Sequence, residues 1–585
     1  GPLGYKGCLV TRKEKSKMGE AKNRFTQIVT LLVALGMLGS VIAACAPAAT
    51  PTTAPPEATA TTAAEATPIP EEPTPAEAAP PVGGELVVGL AWEPSKIDPH
   101  RTAADNGLLP MIQVCETLVI RDLDGEYVPG LASSWEISDD GTMYTFHLRE
   151  DIEFHDGTPF NAEAVKYSFD RIVDPDTQSE QAIDKIGPYS ETEVVDDYTV
   201  VVHLDSPFAP FMDGVVGPEL CIVSPTAAAE WGPEEFQDHF AGTGPFVFKE
   251  WKRQEYIRLE RNPDYWGGPE FYDHQGLAYL DAIVFKFVEE ATVRTGTLET
   301  GEIHLAQEVS AVDVERLDAS PDIDVLVRPS SGLPVVIFLN MSKPPTDDLK
   351  VRQAINYAVD QQAISDILYQ GVLAPAYGPL SPATPCYWSG AEDMYPYDPE
   401  KAESLLEEAG WVDTDGDGIR DKDGQPLRLD FPTHGGFPLY RDPCPIVKTQ
   451  LAEVGIDVNV ENLAAPAWIE AGKTGNQHMG IADWRISDPD FARLEFCSED
   501  PSPFAWNFHD NSHLNDLLQE GKVVSDPEER CAIYEEAQQI IMDEAMIKAI
   551  NLSSAVLALR TEVQGLKLDN LRTAFFWAFD AYLEE

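Results

Sequence analysis

The sequence predicts an α/β protein divided into more than one domain, on three observations. At 585 residues, 43% of them hydrophobic, the chain can bury more core than one domain usually holds. Runs rich in β-branched and aromatic residues, among them Leu86-Val87-Val88, Tyr144–Leu148 and Thr199–Leu204, read as strands buried on at least one face. Between such runs lie segments whose apolar residues recur every three or four positions, the spacing that gathers them on one face of a helix.

Start signals accompany several of these helices. Asn161 precedes a stripe of Val165, Phe169 and Ile172, and its side-chain oxygen can accept from a free amide of the first turn. Leu349, Val351, Ile355 and Val359 repeat the spacing. Asp398-Pro399-Glu400 supplies a capping carboxylate, a residue already held at helical φ and a first-turn acid; Leu405, Leu406 and Ala409 follow, and Gly410 closes the helix. Asp526-Pro527-Glu528-Glu529 repeats the device ahead of Ile533, Tyr534, Ala537 and Ile541. No internal repeat is visible. After residue 45 no stretch is long and apolar enough to cross a bilayer.

The N-terminus reads as an export signal. Arg12, Lys13, Lys15, Lys17, Lys22 and Arg24 precede an uncharged apolar run from Ile28 to Ala44, the pattern of a signal peptide. The run ends at Ile42-Ala43-Ala44-Cys45, which resembles a lipobox, so Cys45 is expected to carry a diacylglycerol and become the mature N-terminus. Met18 reads as a natural start, leaving Gly1–Lys17 outside the fold argument. Residues 46–83, dominated by Ala, Pro, Thr and Glu, bury too little to offset the entropy of ordering and are expected to form an extended tether. Acidic residues outnumber basic ones 99 to 41, a net charge of -58, which excludes a polyanion such as nucleic acid as partner.

Six cysteines follow the tether: Cys115, Cys221, Cys386, Cys444, Cys497 and Cys531. An exported chain permits two or three disulfides, and a set of buried thiols is the alternative. Cys386 with Cys444 and Cys497 with Cys531 are the first pairs to consider. With no C-x-x-C among them, metal and redox motifs are disfavoured.

Ordered blocks then carry a family resemblance. Leu131-Ala132-Ser133-Ser134-Trp135-Glu136, Tyr144-Thr145-Phe146-His147-Leu148-Arg149 and Phe154-His155-Asp156-Gly157-Thr158-Pro159-Phe160 closely resemble bacterial extracellular solute-binding proteins of family 5. Gly242-Thr243-Gly244-Pro245-Phe246, Arg261-Asn262-Pro263-Asp264-Tyr265-Trp266, Val351-Arg352-Gln353-Ala354-Ile355 and Tyr397-Asp398-Pro399-Glu400-Lys401-Ala402 follow in the order that family shows. The resemblance implies a two-lobed, periplasmic-binding-protein-like α/β fold of type II, its lobes joined by crossing strands. It implies lobe I at 84–117, 212–335 and 549–585, an inserted subdomain at 118–211, and lobe II at 336–548. It also implies a monomer on the outer face of the cytoplasmic membrane that captures oligopeptides or dipeptides for an ABC permease and its ATPases. Binders of oligosaccharides or chelated nickel are the alternative within the family, and a cell-surface sensory or adhesion protein the alternative outside it.

By the same resemblance, Gly480-Ile481-Ala482-Asp483-Trp484 occupies the place where peptide-binding members set an Asp against the ligand's α-amino group. An ionised carboxylate facing a closed cleft fixes one ammonium, because only such a partner offsets its desolvation. Gly480, Ala482, Asp483, Trp484 and Arg485 are therefore expected at the ligand, with Trp506 as a flat apolar wall. Where some relatives place an Arg for the peptide carboxylate, this chain has Gln477.

One further motif is separate from these. Asp413, Asp415, Asp417 and Asp421 stand at positions 1, 3, 5 and 9 of a calcium-type loop, with Gly418 at the turn; position 12 is Gly424 and not Glu. A structural Ca2+ clip is the expectation, and no cofactor is required. No H-E-x-x-H, G-x-S-x-G or phosphate-cradling glycine loop is found, and the chain is not read as an enzyme.

Overall fold

The computed structural model describes residues 80–499 and 505–584. The expected signal segment with Cys45, and nearly all of the tether at 46–83, lie outside the described residues. Gly83 and Gly84 lead into Glu85–Leu90, the central strand of a seven-stranded sheet. Across that sheet the order is Ile323–Pro329, Ser554–Arg560, Leu305–Ala306, Glu85–Leu90, Ala282–Phe287, Tyr256–Arg261 and Phe246–Lys252. Glu85–Leu90 runs parallel to both of its neighbours. Leu86, Val88 and Leu90, which share one face of this strand, are all buried.

The inserted unit is a four-stranded antiparallel sheet ordered Ala132–Ile137, Met143–Leu148, Thr199–Leu204 and Tyr189–Asp196. Along Met143–Leu148 buried and less buried residues alternate, the signature of a sheet with one face on a core. The helix Ala162–Val173 covers that face with Val165, Phe169 and Ile172, and Asn161 accepts from the amide of Ala164 at its start. This core continues through Phe211, Leu220 and Ile222.

The second lobe is built on Met479–Trp484, Leu333–Leu339 and Ile547–Asn551, with Leu333–Leu339 in the middle and antiparallel to both. Every residue of Leu333–Leu339 is buried. A parallel pair, Arg428–His434 and Asp457–Leu463, lies alongside, joined through His478 N–H donating to the Asp430 carbonyl at 3.1 Å. The helices begin where their caps predict. Asp398 accepts from the Lys401 amide ahead of Pro399–Glu408, and Asp526 accepts from the Glu528 and Glu529 amides ahead of Pro527–Asp543. Each such cap contributes roughly 1 kcal/mol.

The chain passes from the seven-stranded sheet to the three-stranded one at Ser330–Gly332 and returns at Leu552–Ser553. The two passages are bonded to each other, Ser330 N–H donating to the Ser553 carbonyl at 2.8 Å. Gly332 has φ +105°, and a Cβ there would come within 2.0 Å of the Trp484 carbonyl oxygen, so this position admits only glycine.

The disulfides are Cys115–Cys221 and Cys386–Cys531. The pairs first considered, Cys386 with Cys444 and Cys497 with Cys531, are thereby corrected. A bridge needs Cα atoms about 4.4–6.8 Å apart, a tertiary condition that spacing along the chain does not report; Cys386 meets it with Cys531 at 4.6 Å. Cys444 and Cys497 are buried thiols. Burial pushes the Cys444 thiol up to about 12, and its Sγ–H donates to the Tyr440 carbonyl at 3.0 Å. Among the described residues no helix is long and apolar enough to cross a membrane.

Candidate functional site

Four segments converge where the two lobes meet, most of them just past the C-terminal end of a strand. Trp92 follows Glu85–Leu90 and Glu308 follows Leu305–Ala306, both in the first lobe. Phe437 follows Arg428–His434, Trp484 ends Met479–Trp484, and Arg485 comes next, all in the second. Crevices outside the carboxyl ends of strands are where α/β proteins place ligands. With Asp483 these residues line a cleft of about 210 Å³.

Asp483 is held by two hydroxyls. Tyr440 donates to Oδ1 at 2.6 Å, and Ser553, in the second passage between the lobes, donates to Oδ2. Burial, then the charge of Asp483, raises the Tyr440 phenol well above its ordinary pKa, so it stays a donor. Each carboxylate oxygen has two acceptor sites, which leaves capacity on both for a ligand.

Arg485 stands between two carboxylates without closing on either. Its Nη1 is 3.8 Å from Glu308 Oε1, and its Nε is 3.9 Å from Asp483 Oδ2, both beyond hydrogen-bond length. Burial opposes its charge, yet Glu308 and Asp483 raise its pKa. Glu308 is a non-glycine residue at φ +50°, a conformation that persists only where surroundings enforce it. Arg294 enforces it: this buried guanidinium donates to the carbonyls of Gln307 and Glu308, each at 2.7 Å.

A second cavity, where both lobes meet the inserted unit, is lined by Arg121, Lys185, Asp213, Ser487 and Arg572 among others. Its charges are already matched. Arg572 pairs with Glu219 at 2.9 Å and Asp105 at 3.0 Å, and Lys185 pairs with Asp213 at 3.0 Å. Burial alone would raise the Asp213 pKa, but Lys185 and Arg121 hold it far below the usual carboxylate range. Ser487 of the second lobe donates to both Asp213 oxygens at 2.7 and 2.9 Å, which draws the lobes together. The loosely held Arg485, and not this neutralised cluster, has donors left for a solute.

The structure therefore brings Asp483, Trp484 and Arg485 to one cleft and corrects three other expectations. Trp506 is 2% exposed and belongs to the second-lobe core, its ring edge-on to Trp468 with centroids 4.9 Å apart. Gly480 lies over that ring, and a Cβ there would meet it at 2.2 Å, so the glycine accommodates the tryptophan and not a ligand. Ala482 is 1% exposed, paired with Val336 within the sheet. Sequence reasoning missed Glu308 and Phe437 and did not place Trp92 at the ligand. The signal was present in outline, since each lies a few residues beyond an apolar strand run: Leu86–Leu90, Leu305-Ala306 and Leu429–Phe431.

In the acidic loop, Asp413, Asp415 and Asp417 are exposed, and their carboxylate oxygens lie within 4.8 Å of one another. Asp413 also accepts from the amides of Gly416 at 2.7 Å and Gly418 at 3.0 Å. Asp421 is not part of the group. Its Oδ2 accepts from the Thr414 amide at 3.0 Å and hydroxyl at 2.7 Å, which lowers its pKa and corrects its expected place as a ligand.

Residues 126–503 match the family described as bacterial extracellular solute-binding proteins, family 5. The glutathione-binding protein GsiB of Shigella flexneri serotype 5b is 31% identical over 429 residues, 71% of this chain and 78% of that protein. Among solved structures, the ABC transporter-associated periplasmic binding protein DppA of Helicobacter pylori, in complex with the peptide STSA, is 28% identical with a TM-score of 0.69, covering 86% of this chain and 99% of that one. HbpA2 of Haemophilus parasuis is 27% identical with a TM-score of 0.75, covering 86% and 100%.

Proposed function

The chain belongs to the bacterial extracellular solute-binding proteins of family 5, and on that premise we propose that it captures a peptide-like solute between its lobes and presents it to the permease of an ABC importer. The observation that carries the ligand class is the cleft itself. Asp483 is oriented by Tyr440 and Ser553, keeps acceptor capacity, and faces Glu308 of the other lobe across Arg485. An ammonium entering there exchanges water for two carboxylates, and aromatic walls at Trp92, Phe437 and Trp484 accept varied apolar groups. A solute bonded to both lobes favours the closed arrangement by differential affinity, and closure is the signal a permease reads. Relatives whose names record glutathione and peptide binding support the class.

Two attachments complete the reading. Cys45 anchors the chain through lipid on the outer face of the cytoplasmic membrane, where it acts as a monomer, and the loop at Asp413, Asp415 and Asp417 binds Ca2+ as a structural clip. Native mass spectrometry of protein purified without refolding tests the capture. A co-purified solute carrying a free amine is expected, and a sugar in its place overturns the peptide class. The anchor is tested by Cys45→Ala, which is expected to leave the precursor uncleaved or release the protein from membranes; fractionation unchanged from that of the parent chain, with no lipid on either, overturns it.

A further inference from the structure

We propose that the inserted unit is a latch: an arm of the first lobe whose far edge fastens onto the second lobe and sets how readily the two part. The proposal takes from the solute-capture reading only that the lobes open and close, and it holds whatever solute fills the cleft.

The arm is stiff and fixed at its root. It has a hydrophobic core of its own, which includes Phe146, Phe169 and Phe211, and the bridge Cys115–Cys221 ties together the segments by which the chain enters and leaves it. Its movement therefore follows the first lobe. Yet it reaches the second lobe at three places. The Asp213 carboxylate accepts from the Ser487 hydroxyl at 2.7 and 2.9 Å, and the Ala209 amide donates to the Lys522 carbonyl at 2.8 Å. Gly141, in the turn between two strands of the arm, lies so near Ser525 that a Cβ on it would stand 3.8 Å from the serine Oγ.

One side chain assembles the receiver in the second lobe. Arg530 donates through Nη1 and Nη2 to the Asp488 carboxylate, at 2.7 Å each, and through Nε to the Gly521 carbonyl at 2.8 Å. Asp488 follows Ser487 and Gly521 precedes Lys522, so the same guanidinium holds two of the points the arm touches in register. Arg530 is thus a positioning residue for the latch. Ser487 in turn stands two residues beyond Arg485, which puts latch and cleft on one loop.

The chemistry suits a fastening that must open. Lys185 and Arg121, both within the arm, already pair with Asp213. When the lobes part, the carboxylate keeps both cations, and only a neutral hydroxyl and one amide–carbonyl bond are given over to water. Hydrogen bonds exchange with water at modest net cost. An ion pair divided between the lobes would instead leave an uncompensated buried charge at each opening.

Disulfide trapping reads the latched population. The bond from the Ala209 amide to the Lys522 carbonyl brings their Cα atoms within about 7 Å, the limit for a bridge. Ala209→Cys combined with Lys522→Cys therefore oxidises, under diamide, at a rate that follows how often the arm is fastened. That rate is expected to fall at least threefold when Ser487→Ala is added, and at least tenfold with Ser487→Asp, which sets a second carboxylate against Asp213. Circular-dichroism melting of the reduced proteins checks the fold, and Ser487→Ala decides alone if Ser487→Asp unfolds. Rates unaltered by the serine variants overturn the proposal, as does a cysteine pair that never oxidises in the folded protein. A slower rate matched by loss of the folded signal makes Ser487 merely structural and overturns it too. None of these outcomes touches the co-purified solute, by which the capture reading stands or falls.

Discussion

Ser553 donates its hydroxyl to Asp483 Oδ2, so the carboxylate of the candidate site and one of the two passages between the lobes share a hydrogen bond. On the proposed function, solute recognition and lobe movement meet at that pair of side chains. Any change in how Asp483 is engaged is felt by the segment about which the lobes turn.

Ser553→Ala removes that donor and leaves a buried carboxylate oxygen short of one partner. A hydrogen bond to a charged group contributes about 1.5–3 kcal/mol, part of which the incoming ammonium recovers. A threefold to tenfold loss of affinity is expected by calorimetry, with faster solute release by stopped flow. Affinity unchanged within error means that the bond plays no part in holding Asp483 for its ligand.

Asp483→Asn keeps the shape and removes the charge. At least a tenfold loss of affinity is expected for a solute with a free amine, about 1.4 kcal/mol or more. N-acetylation of the same solute is expected to weaken its binding to the parent protein by a similar factor. The two losses are expected to be less than additive, because they delete one interaction. Calorimetry on the four combinations decides it, and full additivity assigns Asp483 a purely structural part.

The acidic loop predicts a calcium dependence of stability. Three exposed carboxylates within 4.8 Å of one another repel, and an ion between them stabilises the folded state by mass action. Chelation is expected to lower the melting temperature, and Asp415→Ala combined with Asp417→Ala to abolish the difference. Identical melting curves with calcium and with chelator remove the site.

The buried histidines predict an acid limb. His100 and His155 are pushed down to about 4 by burial from an ordinary 6.5, so between those values the unfolded chain binds more protons than the folded one. Their stabilising contribution is complete above pH 6.5 and is lost as pH falls towards 4. Glu116, raised to about 7 by burial, works in the opposite sense: its folded form keeps a proton that the unfolded chain releases, so stability rises as pH falls from 7 to 4.5. Two histidines outweigh one carboxyl, and net acid destabilisation follows. His155 has its Nε2 2.9 Å from the Gly244 carbonyl, and its Nδ1 accepts from the Gly242 amide at 3.4 Å, an arrangement a second ring proton disrupts. His155→Gln is expected to flatten the slope of unfolding free energy between pH 6.5 and 4.5 by about 1.4 kcal/mol per pH unit, read from urea midpoints. An unaltered slope rules out His155 as a source.

What the sequence disclosed follows the range of the forces involved. The caps at Asn161, Asp398 and Asp526 were legible because a cap involves neighbours two or three residues away. Asp483 was placed by resemblance to a family. Glu308 and Phe437 were not found because they follow strands of two different sheets, and no local pattern reports that these meet at one cleft. Trp506 was misjudged for a related reason. A tryptophan lines a cleft or fills a core according to the space left for it, and that space was made by Gly472 and Gly480, two glycines whose purpose no periodicity reveals.

The disulfides have a mechanical consequence. Cys115–Cys221 ties the first lobe around its inserted unit, and Cys386–Cys531 closes a ring wholly within the second lobe; neither staples one lobe to the other. The covalent skeleton between the lobes thus reduces to two neighbouring backbones, at Ser330–Gly332 and Leu552–Ser553, held side by side by the bond from Ser330 to Ser553. Two antiparallel tethers so close together leave rotation about their common line the freest movement between the lobes. A protease that severed either would leave both lobes folded and still attached, yet would turn a door into a swivel.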